Sequence, residues 1–413
     1  MHDGLPLAAV ADAFPVLAQT VHGHPLAYLD NAATTQVPRP VLAAMRRFEE
    51  FERANIHRGV HTLSQRATDA FEQARTTLKR FVGADARHEL VFSSGTTEAL
   101  NLVASGLSTR GPGRAVIEPG DEIIVSGLEH HANLVPWQAA ARRSGATLRI
   151  LRPDARGHLH KHELKALLNA RTRVFAVTAC ANATGERPPY EALLALAADA
   201  GALTVLDAAQ VAAHAVPDLS TLACDFMAFS GHKMYGPMGI GALVGRRAAL
   251  ERLVPVRLGG DMVEWVSYTD AGLAALPSRL EGGTPNVAGA VGMAAAAQFI
   301  DHVGRAAIDR HIGALRARAV AGLTALDGIT VLSPEAAPSA IVSFVAEGAH
   351  PHDIGTILDV EGVAIRTGHH CAQPVMQRFG LPATARASFA FYNTKEEVDA
   401  FIKALHKVRE VLG

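Results

Sequence analysis

Two runs close together in the chain decide its fold: L-T-V-L-D-A-A-Q at 203–210 and F-M-A-F-S-G-H-K-M-Y-G-P at 226–237. The first is a β-branched run that delivers Asp207 at its carboxyl end. The second is an apolar run that ends in a polar loop carrying Lys233. Open α/β sheets bind ligands at the carboxyl edge of their strands. An aspartate at that edge suits a pyridinium nitrogen, and a lysine in an apolar setting suits a Schiff base. Alone, each has a plainer reading: Asp207 as a helix cap, Lys233 as a surface lysine on a turn. Together, at successive strand ends, they point to one site.

Outward from this pair, short apolar runs alternate with Ala/Leu-rich helical patterns from Tyr28 to about residue 260. Strands are expected at 89–93, 122–126, 147–151, 173–180, 204–207, 226–229 and 241–244, with helices at 96–105, 135–144, 161–170 and 190–200. Alternation of this kind implies parallel βαβ units in a buried sheet. Only a Gly-rich connection separates the last two strands, so an antiparallel neighbour is expected there. Beyond about residue 295 the pattern changes to a long helix at 287–326, strands at 329–332 and 340–345, a helix at 352–360, a strand at 363–367 and a final helix at 395–412. That reads as a smaller α+β domain.

A second strand–helix junction, E-L-V-F-S-S-G-T-T-E-A-L-N-L at 89–102, places Gly95, Thr96 and Thr97 at a helix N-terminus. Free N–H groups, hydroxyls and the helix dipole there favour a phosphate, although an ordinary threonine cap reads the same. The paired histidines of E-H-H-A-N (129–133) and G-H-H-C-A (368–372) lack metal-ligand spacing, so no metal site is expected. A histidine at a strand end can instead lie against a flat ring. Of the three cysteines, Cys371 lies in a polar Gly/His loop suited to an accessible thiolate. Cys180 and Cys224 lie in apolar surroundings, where buried packing is expected.

Composition bounds the rest. The 413 residues are 49% hydrophobic and 19% charged, which is globular. A formal net charge of −1 gives no footprint for nucleic acid or an anionic membrane. An odd cysteine count without CxxC spacing argues against a disulfide framework. No signal-peptide charge pattern opens the chain, and no apolar run is long enough to span a bilayer, so a cytoplasmic protein is expected.

The ordered motifs Y-L-D-N-A-A-T-T (28–35), H-R-G-V-H (57–61), G-T-T-E, E-H-H-A-N-L-V-P-W, D-A-A-Q, S-G-H-K-M-Y-G-P, E-G-G-T-P-N (281–286), R-T-G-H-H-C-A-Q-P (366–374) and A-R-A-S-F (385–389) run through nearly the whole chain. In this set the chain resembles the cysteine desulfurases of the sulfur-mobilisation (Suf) type, in the class V aminotransferase superfamily. The resemblance implies a fold-type-I α/β architecture dependent on pyridoxal 5'-phosphate. Its large domain, 25–293, would hold a mostly parallel seven-stranded central sheet flanked by helices. Residues 1–24 and 294–413 would form a small α+β domain.

Carried over, the family pattern makes Lys233 the cofactor-bearing lysine, Asp207 the partner of the ring nitrogen and Gln210 a donor to the phenolic oxygen. His130 would stack on the ring, with a part in proton traffic as an equal reading. Gly95, Thr96, Thr97, Ser230 and His232 would hold the phosphate, and Thr284 would reach it from a second subunit. Asn182 and Arg386 would bind the substrate carboxylate, with Arg366, His57 and Arg58 nearby, and Cys371 would accept the sulfur. The chain departs from the usual pattern at Ala208, Ala181 and Ala385, none of which removes a reactive group. The implied reaction turns L-cysteine into L-alanine and a persulfide for a sulfur-acceptor protein, in a homodimer. Selenocysteine lyase is the alternative, with a plain aminotransferase behind it.

Overall fold

A computed structural model describes residues 10–111, 115–332 and 339–412. Seven strands form the central sheet: β1 (His88–Ser93), β2 (Glu122–Ser126), β3 (Thr147–Leu151), β4 (Thr172–Thr178), β5 (Leu203–Asp207), β6 (Phe226–Ser230) and β7 (Gly241–Arg246). Their order across the sheet is β1-β7-β6-β5-β4-β2-β3. β3, β2, β4, β5 and β6 are mutually parallel, and β7 runs antiparallel to both β6 and β1. The expected seven-stranded, mostly parallel sheet and its antiparallel neighbour are therefore present. β2, β5 and β6 are buried along their whole length. Strands covered on both faces read as unbroken apolar runs, which is why the sequence declares them.

At the other end of the chain, β8 (Ile329–Leu332), β9 (Ile341–Ala346), β10 (Arg366–Gly368) and β11 (Thr384–Ser388) form an antiparallel sheet in the order β8-β9-β11-β10. The division drawn from sequence at 293/294 falls inside the helix Val287–Val303, and residues 1–9 lie outside the described residues.

Three expectations need correction. The long helix at 287–326 is two helices, Val287–Val303 and Arg305–Thr324, broken at Gly304. Gly304 has φ 98°, a conformation open to a residue without Cβ and incompatible with the helix. The strand expected at 363–367 divides: Val363–Ala364 pairs with Ala27–Tyr28, while Arg366–Gly368 joins the antiparallel sheet. β11 has no counterpart among the expected strands, because Arg386 sits inside it and breaks the apolar pattern although every residue of the strand is buried. The helices Arg39–Arg47 and Thr62–Phe81 also lie outside the expected pattern.

Candidate active site

The carboxyl ends of β4, β5 and β6 meet the loop before β11 around a cavity of about 330 Å³. Of the residues singled out from sequence, Thr96, Thr97, His130, Asn182, Asp207, Gln210, Ser230, His232, Lys233, Arg366, Cys371 and Arg386 line it. Residues up to about 290 positions apart in sequence are thus brought together by the sheet edge and the C-terminal segment. Gly95, His57, Arg58 and Thr284 are not among the residues that line the cavity of their own chain. His57 faces Glu72 at 3.3 Å, Arg58 pairs with Asp261 at 3.4 Å, and Thr284 is exposed.

Lys233 follows β6 in a short helical turn. Burial lowers its amine from 10.5 to about 8, and Asp207 pulls it part of the way back. Asp207 closes β5, where its Oδ1 accepts the N–H of Ala209 at 2.9 Å. Burial raises this carboxyl, while the Ala209 N–H and Lys233 oppose the rise. Gln210 donates from Nε2 to the carbonyl of Ala32 at 3.0 Å, which ties the D-A-A-Q turn to the N-terminal D-N-A-A-T-T segment.

Gly95 caps the helix Thr96–Ser108 in a conformation with φ 155°. A Cβ on Gly241 of β7 would stand 2.5 Å from the Gly95 Cα, so two glycines let strand and helix end approach this closely. Ser230 Oγ accepts the Thr96 N–H at 2.8 Å and lies 2.7 Å from Thr96 Oγ1. The first-turn N–H groups beyond it have no carbonyl partner within the helix.

His130 Nδ1 accepts the N–H of Ala132 at 3.0 Å, which leaves the ring proton on Nε2. Burial, with Lys233 nearby, pushes this imidazole down to about 4, so it is neutral at physiological pH. His232 is likewise held down to about 4 by burial and Lys233.

Arg386 is buried at 2% exposure in β11. Nη1 donates to the Asn182 carbonyl at 2.9 Å, and Nη2 lies 3.4 Å from Asp30 Oδ1. Its Nε and the Oδ1 of Asn182 are both buried with no partner. Cys371 is exposed at the cavity, with φ 53° both there and at His370. Two consecutive left-handed residues are a strained backbone that the surroundings must hold.

Besides alanines, five residues lining or supporting the site escaped the sequence reading as site residues: Asp30, Glu129, Thr178, Cys180 and His370. Asp30 holds Arg366 with contacts of 3.0 and 3.2 Å. His370 is buried and bonds Thr384 Oγ1 at 2.9 Å. Asp30, Glu129 and His370 lie inside the sequence motifs, but only the contacts reveal the work each does. Among the described residues no cluster of His, Cys, Asp and Glu could hold a metal ion, and no helix is long and apolar enough to cross a membrane.

The chain is similar to known proteins over nearly its whole length. Residues 27–401 match the aminotransferase class-V family. A probable cysteine desulfurase of Halalkalibacterium halodurans is 44% identical over 400 residues, 97% of each chain. One of Vibrio cholerae is 42% identical over 408 residues, 99% of this chain and all of the relative. Among solved structures, the apo cysteine desulfurase of Thermococcus onnurineus superposes with a TM-score of 0.91 at 37% identity over 98% of both chains. The cysteine desulfurase CsdA of Escherichia coli, in an S-sulfonic acid form, superposes at 0.89 with 36% identity, covering 99% of this chain and all of that one.

Proposed function

The chain belongs to the aminotransferase class-V family, and from that premise we propose that it is a cysteine desulfurase, dependent on pyridoxal phosphate, that moves the sulfur of L-cysteine onto Cys371. The observation that carries this reading is Cys371 itself, an exposed thiol on the wall of the cavity that also holds Lys233, Asp207 and Arg386.

The residues present fit the cofactor. An amine, a strand-end carboxylate and a helix N-terminus line one cavity with a neutral imidazole. The orphaned Arg386 Nε and Asn182 Oδ1 offer a donor and an acceptor to an incoming amino acid. Lys233 would carry the cofactor, Asp207 would hold its ring nitrogen, and Gly95, Thr96, Thr97, Ser230 and His232 would surround its phosphate. Bound there, pyridoxal phosphate supplies an electron sink for the carbanion that forms when the substrate Cα loses its proton.

The protein's own residues do the rest. Arg386 presents a buried guanidinium, fixed by Asn182 and Asp30, to the substrate carboxylate. Once the substrate's amino group had taken its place, the freed amine of Lys233, held near 8 by burial, would accept the Cα proton. The Cys371 thiolate attacks the substrate sulfur: an S–S bond forms, the Cβ–S bond breaks, and its electron pair stays with carbon. His130 keeps its proton on Nε2 and would donate a hydrogen bond to the bound group, while the carbon would take up the proton that the Cys371 thiol gave up on becoming a thiolate. Alanine leaves, and Cys371 retains the persulfide for an acceptor thiol, in iron–sulfur cluster assembly or other sulfur trafficking.

The short, tethered R-T-G-H-H-C-A-Q-P loop supports assignment to the Suf type. Exposed Phe51, Val60, Trp265 and Tyr268 support a homodimer in which Thr284 serves the neighbouring subunit's site. A cytoplasmic location is part of the same reading. Incubation with L-cysteine and a thiol reductant should release alanine and sulfide in equal amounts. Pyruvate as the product would overturn the proposal, and turnover of L-selenocysteine alone would make the protein a selenocysteine lyase.

A further inference from the structure

Behind the cavity lies a buried polar chain that the proposed reaction does not use. Glu129 Oε2 accepts from Asn133 Nδ2 at 2.7 Å, and Asn133 Oδ1 accepts from Trp137 Nε1 at 2.9 Å. All three side chains are buried, Asn133 and Trp137 completely. An indole N–H can only donate, so Trp137 dictates which way the Asn133 amide faces. The amide must therefore present its NH₂ to Glu129. The other carboxyl oxygen, Oε1, accepts the main-chain N–H of Thr178 at 2.7 Å and a short bond with the Ser126 hydroxyl.

These contacts join three parts of the fold. Ser126 ends β2, Thr178 ends β4, and Asn133 belongs to the turn that begins with His130. Thr178 is also the ladder partner of Asp207, whose carbonyl accepts the next N–H, that of Ala179, at 2.9 Å. One carboxyl group thus grips the segment that carries the imidazole and the strand that registers the aspartate. Burial and Asp207 push the Glu129 carboxyl up to about 8, against the pull of Ser126, Asn133 and Thr178. The Ser126 hydroxyl can donate or accept, so both N–H contacts survive in either protonation state.

We propose that Glu129 is a positioning residue, a buried group that helps set both His130 and Asp207 against the cofactor ring. The inference rests on the cofactor reading above. Glu129→Gln tests it, because either orientation of the new amide turns an NH₂ group toward a donor, Asn133 Nδ2 or the Thr178 N–H. Losing one buried hydrogen bond in this way weakens pyridoxal phosphate binding about tenfold. Binding is read on the apoprotein by quenching of Trp137 fluorescence in a Trp265→Phe background. The circular dichroism induced in the cofactor band, which reports how the ring is held, should fall in the same variant. The KM for L-cysteine should stay within about twofold, since Arg386 and Asn182 are untouched.

Unchanged affinity and unchanged induced dichroism in a folded Glu129→Gln protein would overturn the inference. If that variant does not fold, Ser126→Ala removes one contact and keeps the carboxyl. It should weaken the cofactor about threefold in the same sense, and wild-type values there would equally overturn the role. A wild-type protein that binds no pyridoxal phosphate would instead sink the cofactor reading.

Discussion

The main-chain N–H of His131 donates to the carbonyl of Cys371 over 2.7 Å. A second bond runs the other way, from the Gln373 N–H to His131 Nε2 at 3.2 Å. The His131 and His369 rings face each other with centroids 5.9 Å apart. The turn that presents His130 to the cavity is therefore clasped to the loop that presents the thiol. This clasp holds the left-handed backbone of His370 and Cys371 in place.

His131→Ala keeps the main-chain bond and loses the one to Gln373. Alanine formation should slow roughly three- to tenfold, the cost of one exposed hydrogen bond, with cofactor affinity unchanged. The sign of the pH effect follows from the acceptor role of Nε2. Burial and His369 lower this imidazole below its ordinary 6.5. The bond is complete above that value and is lost as the pH falls through the lowered one. A kcat profile of wild type against the alanine variant checks this: the acid limb should be weaker in the variant.

Cys371→Ala should bind L-cysteine within a fewfold of wild type yet lose nearly all alanine formation. The other thiols cannot substitute, because burial pushes Cys180 and Cys224 up to about 12. Selenocysteine turnover should survive in part, since the weaker carbon–selenium bond breaks without that attack. Mass spectrometry after one turnover should place one extra sulfur on Cys371, and sulfur on either buried cysteine would overturn the assignment.

Arg386→Lys tests the carboxylate site. An ammonium replaces the planar fork and leaves the Asn182 carbonyl and Asp30 with a poorer partner. The kcat/KM for L-cysteine should fall about a hundredfold, in line with roughly 3 kcal/mol for a buried charge-assisted pair. Unchanged kinetics would remove Arg386 from the site.

Cofactor capture should quicken with pH. Lys233 carries a proton below about 8, and only the free amine attacks an aldehyde. Stopped-flow mixing of apoprotein with pyridoxal phosphate should show a rate that rises through pH 8 and levels off above it. A rate still climbing at pH 10 would place the lysine at its ordinary value. Borohydride reduction should fix the label on Lys233, and Lys233→Ala should bind the cofactor without reducible linkage.

Gly241→Ala should damage the phosphate end of the cavity. Its new Cβ would lie 2.5 Å from the Gly95 Cα and 2.7 Å from the Phe229 carbonyl, both backbone atoms that cannot turn aside. A loss of about 2 kcal/mol in stability is expected from such overpacking, together with weaker cofactor binding. A melting curve with and without pyridoxal phosphate measures both.

What the sequence determined by itself was local. β2, β5 and β6 are sandwiched, so their apolar runs announce a buried parallel sheet, and Asp207 and Lys233 are named by standing where those runs stop. The polar loop around Cys371 separates it from two cysteines in apolar surroundings for the same reason. How distant segments meet is set in three dimensions and is not written in any one stretch of the chain. Arg386 lies in a strand whose pattern it disrupts, and its fit comes from pairing with β9 and β10 and from the carbonyl of Asn182. The break at Gly304 depends on a backbone angle that a helical pattern does not encode. Asp30 and Glu129 read as ordinary carboxylates along the chain. They acquire their roles because hydrogen bonds are directional and short, and only folding brings their donors from Arg366, Arg386, Thr178 and Asn133 within reach.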